Sequence, residues 1–556
     1  MIPIIVGVTG HRDILPQDEL KLRNALQTKL LALKNQFPHS PFHLLSGLAE
    51  GADQLAAEAA LDAGYKLVAT LPMPQAMYEE DFNTPALLTQ FQQLLAKADQ
   101  VLVCPVENSD DIRRDERYQA LGRYIAQHAQ IVIAVWDGIT EQLAPDGQLK
   151  VLMGGTADVV QLCRGELAAS ALDILTIPEA AKVEHLRTRR AKHNPANPPM
   201  TEQLVGTWAE PTDEQAQQTN IRTDRMLKAI DQLNEYGKTV PTASITQCQE
   251  WLLSGNPPSS VTSILATPIA AFALADAAAG IRQKERAKAV KRISLLAIAS
   301  ILCQQIYSGP DMQWGWLAAH IGLAALAFWA FLHFFRGRHR REEQYLDWRS
   351  IAEGLRVQVF WRAAGVNDSV ADHYLTGDRD ELDWIRQAVR NMTIGMQAID
   401  DPVAMQWVRE AWLQSQKKYF EKKVPENSRH RVLFNRLTQG FFFTALTVTV
   451  VTLAAHLLDM TDTVLNSLVL VSGMSFVMAA VLKTYSEQMA YEEQQNRYRG
   501  MAGLFNWAIE RYDALMREGK IADARLVLLK IGQEALAENA GWLRLHRERQ
   551  FEINIA

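Results

Sequence analysis

Two glycine turns carry the residues whose types and spacing could do chemistry: Thr9-Gly10-His11-Arg12 and Ser46-Gly47-Leu48-Ala49-Glu50-Gly51-Ala52-Asp53. Each follows a short apolar run, and the second opens an Ala-rich helix over Gln54–Ala63. Glycine lets the backbone approach a ligand closely, and N–H groups at a helix start favour anions. Arg12 adds a fixed positive charge. The pair therefore predicts a site for a nucleotide-type ligand, against the plainer reading that the glycines only make turns. His11 fits a packed loop histidine better than a catalyst.

The turns need a scaffold, and the flanking sequence supplies one. Ile2–Val8, Phe42–Leu45, Lys66–Leu71, Val101–Cys104, Ile131–Trp136 and Leu172–Ile177 are predicted strands. Short apolar runs stopped by Gly or Pro fit buried strands of a parallel sheet. Leu22, Leu26, Leu30, Leu33 and Phe37 recur at helical spacing, Tyr118–His128 is a helix, and Gly154-Gly155-Thr156 opens another through Cys163. The alternation predicts an α/β, doubly wound, Rossmann-like parallel sheet, whose ligands bind beyond the carboxyl ends of its strands. Tyr78, Asp81 and Phe82 follow the third strand and reach toward that edge.

Composition narrows the function classes. A net charge of −6 over 556 residues argues against a general nucleic-acid binder. Cys104, Cys163, Cys248 and Cys303 form no CxxC pair, so neither a metal site nor a disulfide framework is expected, and a reducing compartment is the default. The N-terminal apolar run has no cationic flank and is too short for a signal peptide.

Ser-Gly-x-Ala-x-Gly-x-Asp followed by an Ala-rich helix resembles the SLOG superfamily, which includes the lonely-guy nucleotide hydrolases, the DNA-processing protein DprA and the sensing domains of TRPM channels. The resemblance covers residues 1–178. It implies that Gly10, Arg12, Ser46, Gly47, Glu50, Gly51, Gly155 and Thr156 line a nucleotide pocket. Asp53 would touch a ligand ribose or cap its own helix. The hydrolases of that family carry a glutamate three positions after the threonine of their glycine-rich motif. Val159 stands there, with Asp158 beside it and about 100° away around the helix. The motif thus looks like a binding site without the hydrolase's base; Glu50 or Asp158 would have to support any residual catalysis.

Pro/Asn clusters at 194–199 and 255–258 mark boundaries. The chain divides into a nucleotide-binding domain (1–180), a helical linker (181–290) and a transmembrane domain (291–556) with a helical insert (342–437) and tail (484–556). Val261–Ala279 fits a packed or interfacial helix. Ile293–Ile306, Trp314–Phe335, Phe441–Leu458 and Val464–Leu482 read as four spans in two hairpins, all-α, by length against a core of roughly 30 Å. Arg and Lys flank these segments on one side only, and the loops 308–313 and 459–463 contain none, so both termini are expected in the cytoplasm. Gln304, Gln305, His320, His456 and Asn466 are costly facing lipid and mark helix packing or a wetted pore.

The paired hairpins with long helices resemble SLATT-type proteins, predicted pore-formers of bacterial conflict systems. Taken together, the two resemblances imply an inner-membrane, multi-pass homo-oligomer that senses a nucleotide second messenger and permeabilises the membrane as an antiphage effector. The expected partners are that nucleotide, the lipid bilayer and further copies of the chain, with no nucleic acid, metal or cofactor. A membrane-anchored hydrolase and a non-catalytic scaffold are the alternatives.

Overall fold

The computed structural model describes residues 1–105, 112–143, 149–151, 155–165, 180–191, 200–211, 213–307, 314–335, 339–375, 382–488 and 491–548. In chain order the first part runs β1 (Ile4–Gly10), α1 (Pro16–Gln36), β2 (Phe42–Ser46), α2 (Ala52–Asp62), β3 (Lys66–Leu71), α3 (Gln75–Glu79), α4 (Pro85–Ala96), β4 (Gln100–Val103), α5 (Arg114–His128) and β5 (Ile131–Trp136). A small antiparallel hairpin, β6 (Glu141–Leu143) and β7 (Leu149–Val151), precedes α6 (Thr156–Arg164), β8 (Lys182–Arg187) and α7 (Glu214–Gly237). Helices follow: α8 (Thr242–Leu252), α9 (Ser259–Ile264), α10 (Ala266–Tyr307), α11 (Trp314–Phe335), α12 (His339–Ala363), α13 (Val370–His373), α14 (Asp383–Asn391) and α15 (Pro402–Val408). A π-helical turn, Arg409–Gln414, then leads into α16 (Ser415–Leu457), α17 (Asp462–Gln488), α18 (Tyr491–Arg517) and α19 (Ile521–Glu548).

The chain forms two compact units, one of residues 1–240 with 369–397, the other of 241–368 with 398–556. In the first, six strands pair in parallel in the order β4-β3-β2-β1-β5-β8. β1 lies at the centre, with Ile4 through Val8 buried, as an unbroken apolar strand must be when both sheet faces are covered. The chain builds outward from β1 to β4, then returns to β1's other side with β5. The strand order therefore reverses between β1 and β5.

The expected sixth strand, Leu172–Ile177, lies outside the described residues. The strand that completes the sheet is β8, placed by sequence in a helical linker. β8 is an edge strand whose sequence, Lys-Val-Glu-His-Leu-Arg, buries only alternate positions. Its charged residues hide the apolar run by which a central strand is recognised.

The second unit is helical. Trp348, Trp361, Trp412, Phe360 and Phe505 are buried in its core. Phe360 stacks on Trp412 with ring centres 5.3 Å apart, and the Trp361 indole N–H donates to Leu528 O at 3.1 Å. Val261–Ala279 packs within this unit: Leu265, Ile269, Phe272 and Ala278 are buried.

The expectation of four spans is corrected to two. Among the described residues, only the runs 402–457 and 462–517 contain helix long and apolar enough to cross a membrane. Ile293–Ile306 is the end of α10, a helix carrying Arg282, Lys284, Arg286, Lys288, Lys291 and Arg292 just before it. Its 14 residues, at ~1.5 Å each, reach about 21 Å, short of the hydrocarbon core. In α11 the apolar stretch that qualifies, Trp314–Ala330, is also short. The two remaining helices are not the hidden core of a soluble bundle. Only 11% and 17% of their most apolar windows are buried. Phe442, Phe443, Leu446, Val450, Leu453 and Leu457 are exposed, whereas Ser472 and Ser475 are buried. Thr449 and Ser472 share a hydroxyl hydrogen bond of 2.6 Å across the hairpin.

Candidate functional site

A cavity of about 460 Å³ opens at the carboxyl end of β1, the strand at which the sheet's order reverses. Open α/β sheets place ligands at this kind of crevice. Val8, Thr9 and Gly10 form its floor, α5 one wall through Tyr118, Leu121, Gly122 and Ile125, and the start of α6 another through Gly155, Thr156 and Asp158. Arg12, Asp53, Ala49 and Tyr78 also line it, as do Gln119 and Arg123 of α5 and Val159 and Leu162 of α6.

Arg12 lies over the Tyr118 ring, 4.9 Å from its centre. Burial works against the guanidinium charge, but the Tyr118 hydrogen bond and the fields of Tyr118, Tyr78 and Asp53 outweigh it and raise its pKa. Tyr118 is itself held by its hydroxyl, which donates to Asp81; Asp81 also accepts from Arg114 at 2.6 Å. Tyr78, nearly fully buried, donates to Gly47 O at 3.0 Å.

Asp53 is the other charged centre. Burial pushes its carboxyl up to about 7, against the pull of Arg12 and of backbone hydrogen bonds from Ala49 and Gly47. The second glycine turn is thus closed upon itself. The N–H groups of Gly47 and Ala49 go to the Asp53 carboxyl, that of Leu48 goes to Ser46 Oγ at 3.0 Å, and that of Ala52 goes to His11 O at 3.0 Å. Leu48 adopts φ 54°, a left-handed conformation unusual for a branched residue and held here by the Ser46 bond. The Ala52–His11 bond also stitches the two turns together.

Of the residues expected at the site, Gly10, Arg12, Asp53, Gly155 and Thr156 meet at the cavity. Ser46 is fully buried and bonds within its own turn, while Gly47 and Gly51 stand behind the lining. A Cβ on Gly47 would come within 2.8 Å of Leu121. Glu50 accepts from Asn83 at 3.1 Å and does not line the cavity. His11 is tied to Asp137, 3.1 Å from its carboxylate, as a packed loop histidine should be. The SLOG resemblance marks the block 118–138 as lying among ligand loops but assigns no role to Tyr118 or Ile125. Tyr118, Gly122 and Ile125 fall at i, i+4 and i+7 on one helix face, which is the signal that could have marked them. Val159 is buried and packs against Gly122, where a Cβ would lie 2.8 Å from its methyl.

In the helical unit, His320 Nδ1 lies 2.8 Å from Ser300 O, joining α11 to α10. His456 is exposed near the end of α16, and Asn466 is half-buried on α17. The Gln305 side chain lies outside the described residues. Among the described residues no group of three or more His, Cys, Asp or Glu is placed to hold a metal.

No protein-family model matches the chain, and no curated protein does. Among solved structures it is similar to the X-ray structure of DNA processing protein A (DprA) from Streptococcus pneumoniae, with 20% identity and a TM-score of 0.18. That similarity covers 28% of this chain and spans 45% of the other.

Proposed function

We propose that the chain is a membrane-associated sensor of a small nucleotide-type anion. The observation that carries this reading is the cavity at the sheet's reversal point, with Arg12 in its lining and set over the Tyr118 ring, in a chain that also bears an outward-facing apolar helix hairpin. Arg12 would hold a phosphate or similar group, and the ring of Tyr118 and the apolar wall of Leu121 and Ile125 would take the ligand's body. The α16–α17 hairpin would lie in the bilayer, its exposed Phe, Leu and Val side chains against lipid and its Ser472 and Ser475 turned inward. The basic residues Arg429, Arg431, Arg436 and Lys483 flank it on one side, so both of its outer ends would face the cytoplasm. One two-helix hairpin encloses no channel. A conducting pore would therefore require several copies, and a nucleotide second messenger from an infected cell would be the trigger.

Arg12→Ala is expected to weaken binding of a nucleoside phosphate by about 10–150-fold, the loss of a charge-assisted hydrogen bond worth ~1.5–3 kcal/mol. Calorimetry on the full chain in nanodiscs checks it. Unchanged affinity in a folded variant would remove Arg12 from the site. For the hairpin, a cysteine at Asp462 should react with an impermeant thiol reagent on intact cells. Protection there, with labelling only after lysis, overturns the orientation.

The alternative of a membrane-anchored hydrolase draws on Asp53 and Asp158, both of which line the cavity. Recovering the nucleotide chemically intact after ion flux rises in liposomes supports the sensor; turnover without flux supports the hydrolase.

A further inference from the structure

Residues 369–397 lie between helices of the second unit in sequence yet belong to the first. The described stretch 382–397 bonds to the amino ends of the sheet's strands, the end opposite the cavity. Asn391 donates to Pro3 O at 2.8 Å and to Gln130 Oε1 at 3.0 Å. Gln130, nearly fully buried, accepts from the Ile5 N–H at 2.9 Å and donates to Gln387 and Asn391. Arg390 donates to Gln127 O near the end of α5, and Gln100 on β4 donates to Ile394 O at 3.1 Å. Every residue of α14 is buried, its arginines included.

α5 joins this segment to the cavity. Its middle and later turns supply the cavity wall through Tyr118, Leu121, Gly122 and Ile125, and its last turn carries the Gln127 carbonyl held by Arg390. Leu121 and Ile125 share one apolar cluster with Ala126, Ala129 and Ile394. A displacement of α5 at the cavity is therefore a displacement of what 382–397 packs on. Buried polar networks resist partial loosening, because an unpaired buried group is costly, so such an element moves between discrete arrangements. Both ends of the segment continue directly into the helical unit, at 368/369 and 397/398.

We propose that residues 382–397 are a strap that carries the state of the cavity, through α5, to the chain that enters the helical unit at residue 398. The proposal rests on the sensor reading above, and its test separates the two. Amide hydrogen exchange is measured on the full chain in nanodiscs. Gly122→Ala places a methyl 2.8 Å from Val159 and wedges α5 at the cavity. It should speed exchange across 382–397 by about fivefold or more, the lower end of typical coupling between sites. If that variant does not fold, Ile125→Val, which removes one methylene from the same wall, takes its place. Unchanged exchange in 382–397 overturns the strap. Inorganic pyrophosphate is the ligand probe. It should slow exchange in both 47–53 and 382–397, and Arg12→Ala should abolish both effects. Protection of 47–53 alone keeps the site and overturns the strap. Protection of neither removes the anion reading, and the wedge variant then decides the strap by itself.

Discussion

Gly51→Val is expected to collapse the corner where the two glycine turns meet, at a local cost above about 3 kcal/mol. Gly51 sits at φ 81°, where a β-branched residue is a steric outlier. Its added Cβ would lie 2.4 Å from Arg12 O and 2.7 Å from His11 O. These are backbone atoms, so no side chain can swing aside. Moving them breaks the Ala52–His11 hydrogen bond and displaces Arg12 from the cavity. Amide exchange of residues 48–56 in the full chain checks this. Gly155→Ala is the control: φ is −135° there and an added Cβ meets nothing within 4 Å, so the change should stay within about 0.5 kcal/mol. Wild-type protection in the Gly51 variant would sink the account of this corner.

Asp53→Asn should reshape the pH dependence of the sheet unit's stability. The Asp53 carboxyl titrates at about 7 when folded, against an ordinary 3.8. A raised carboxyl pKa costs nothing below pH 4, because both states are protonated. As pH rises from about 4 to 7 the unfolded chain ionises first, and the folded state loses stability by an amount on the order of 4 kcal/mol. Above about pH 7 the penalty is constant. Asparagine keeps the shape and an acceptor for the turn's N–H groups but never ionises. The stability of the variant relative to wild type should therefore rise between pH 4 and 7 and then level. His43 acts in the opposite sense in wild type: burial lowers its pKa to about 4, so stability falls as pH drops from its ordinary 6.5 toward 4. Only the difference between variant and wild type isolates Asp53. Local unfolding free energies from exchange across the pH range provide it, and a difference independent of pH rejects the buried-carboxyl account.

Much of the architecture was legible in local pattern. Ile4–Val8 and Ile131–Trp136 are continuous apolar runs, and such runs read as buried parallel strands because both faces must be covered. Gly10 and Arg12 could be placed at the sheet's carboxyl edge from sequence because a glycine stop directly follows the apolar run of β1, and both line the cavity there. The two long apolar helices α16 and α17 were legible because the length and apolarity that a span requires can be counted along the chain. β8 was not, because an edge strand buries only alternate residues, and one of the two it buries is the charged Glu184, so no apolar run marks it.

What the residues settle by themselves is local: which segments bury both faces, where the chain must turn, and where an arginine follows a glycine. Direction and partnership came only with the tertiary structure. Asp53 could cap a helix or meet a ligand by sequence; folding puts its carboxyl in the cavity lining and closes the Ser46–Ala52 turn around it. Tyr118 gains its place over Arg12 only when α5 packs beside β1. Residues 382–397 look like one more helical stretch of an insert, yet they bond to the start of a sheet that begins nearly four hundred residues earlier, through Asn391 and the Pro3 carbonyl. The physical reason is the range of the interactions. Periodicity and turn chemistry act over a few residues and leave their mark in composition. A buried amide network joins residues far apart in the chain, and no local pattern records which glutamine will meet which asparagine.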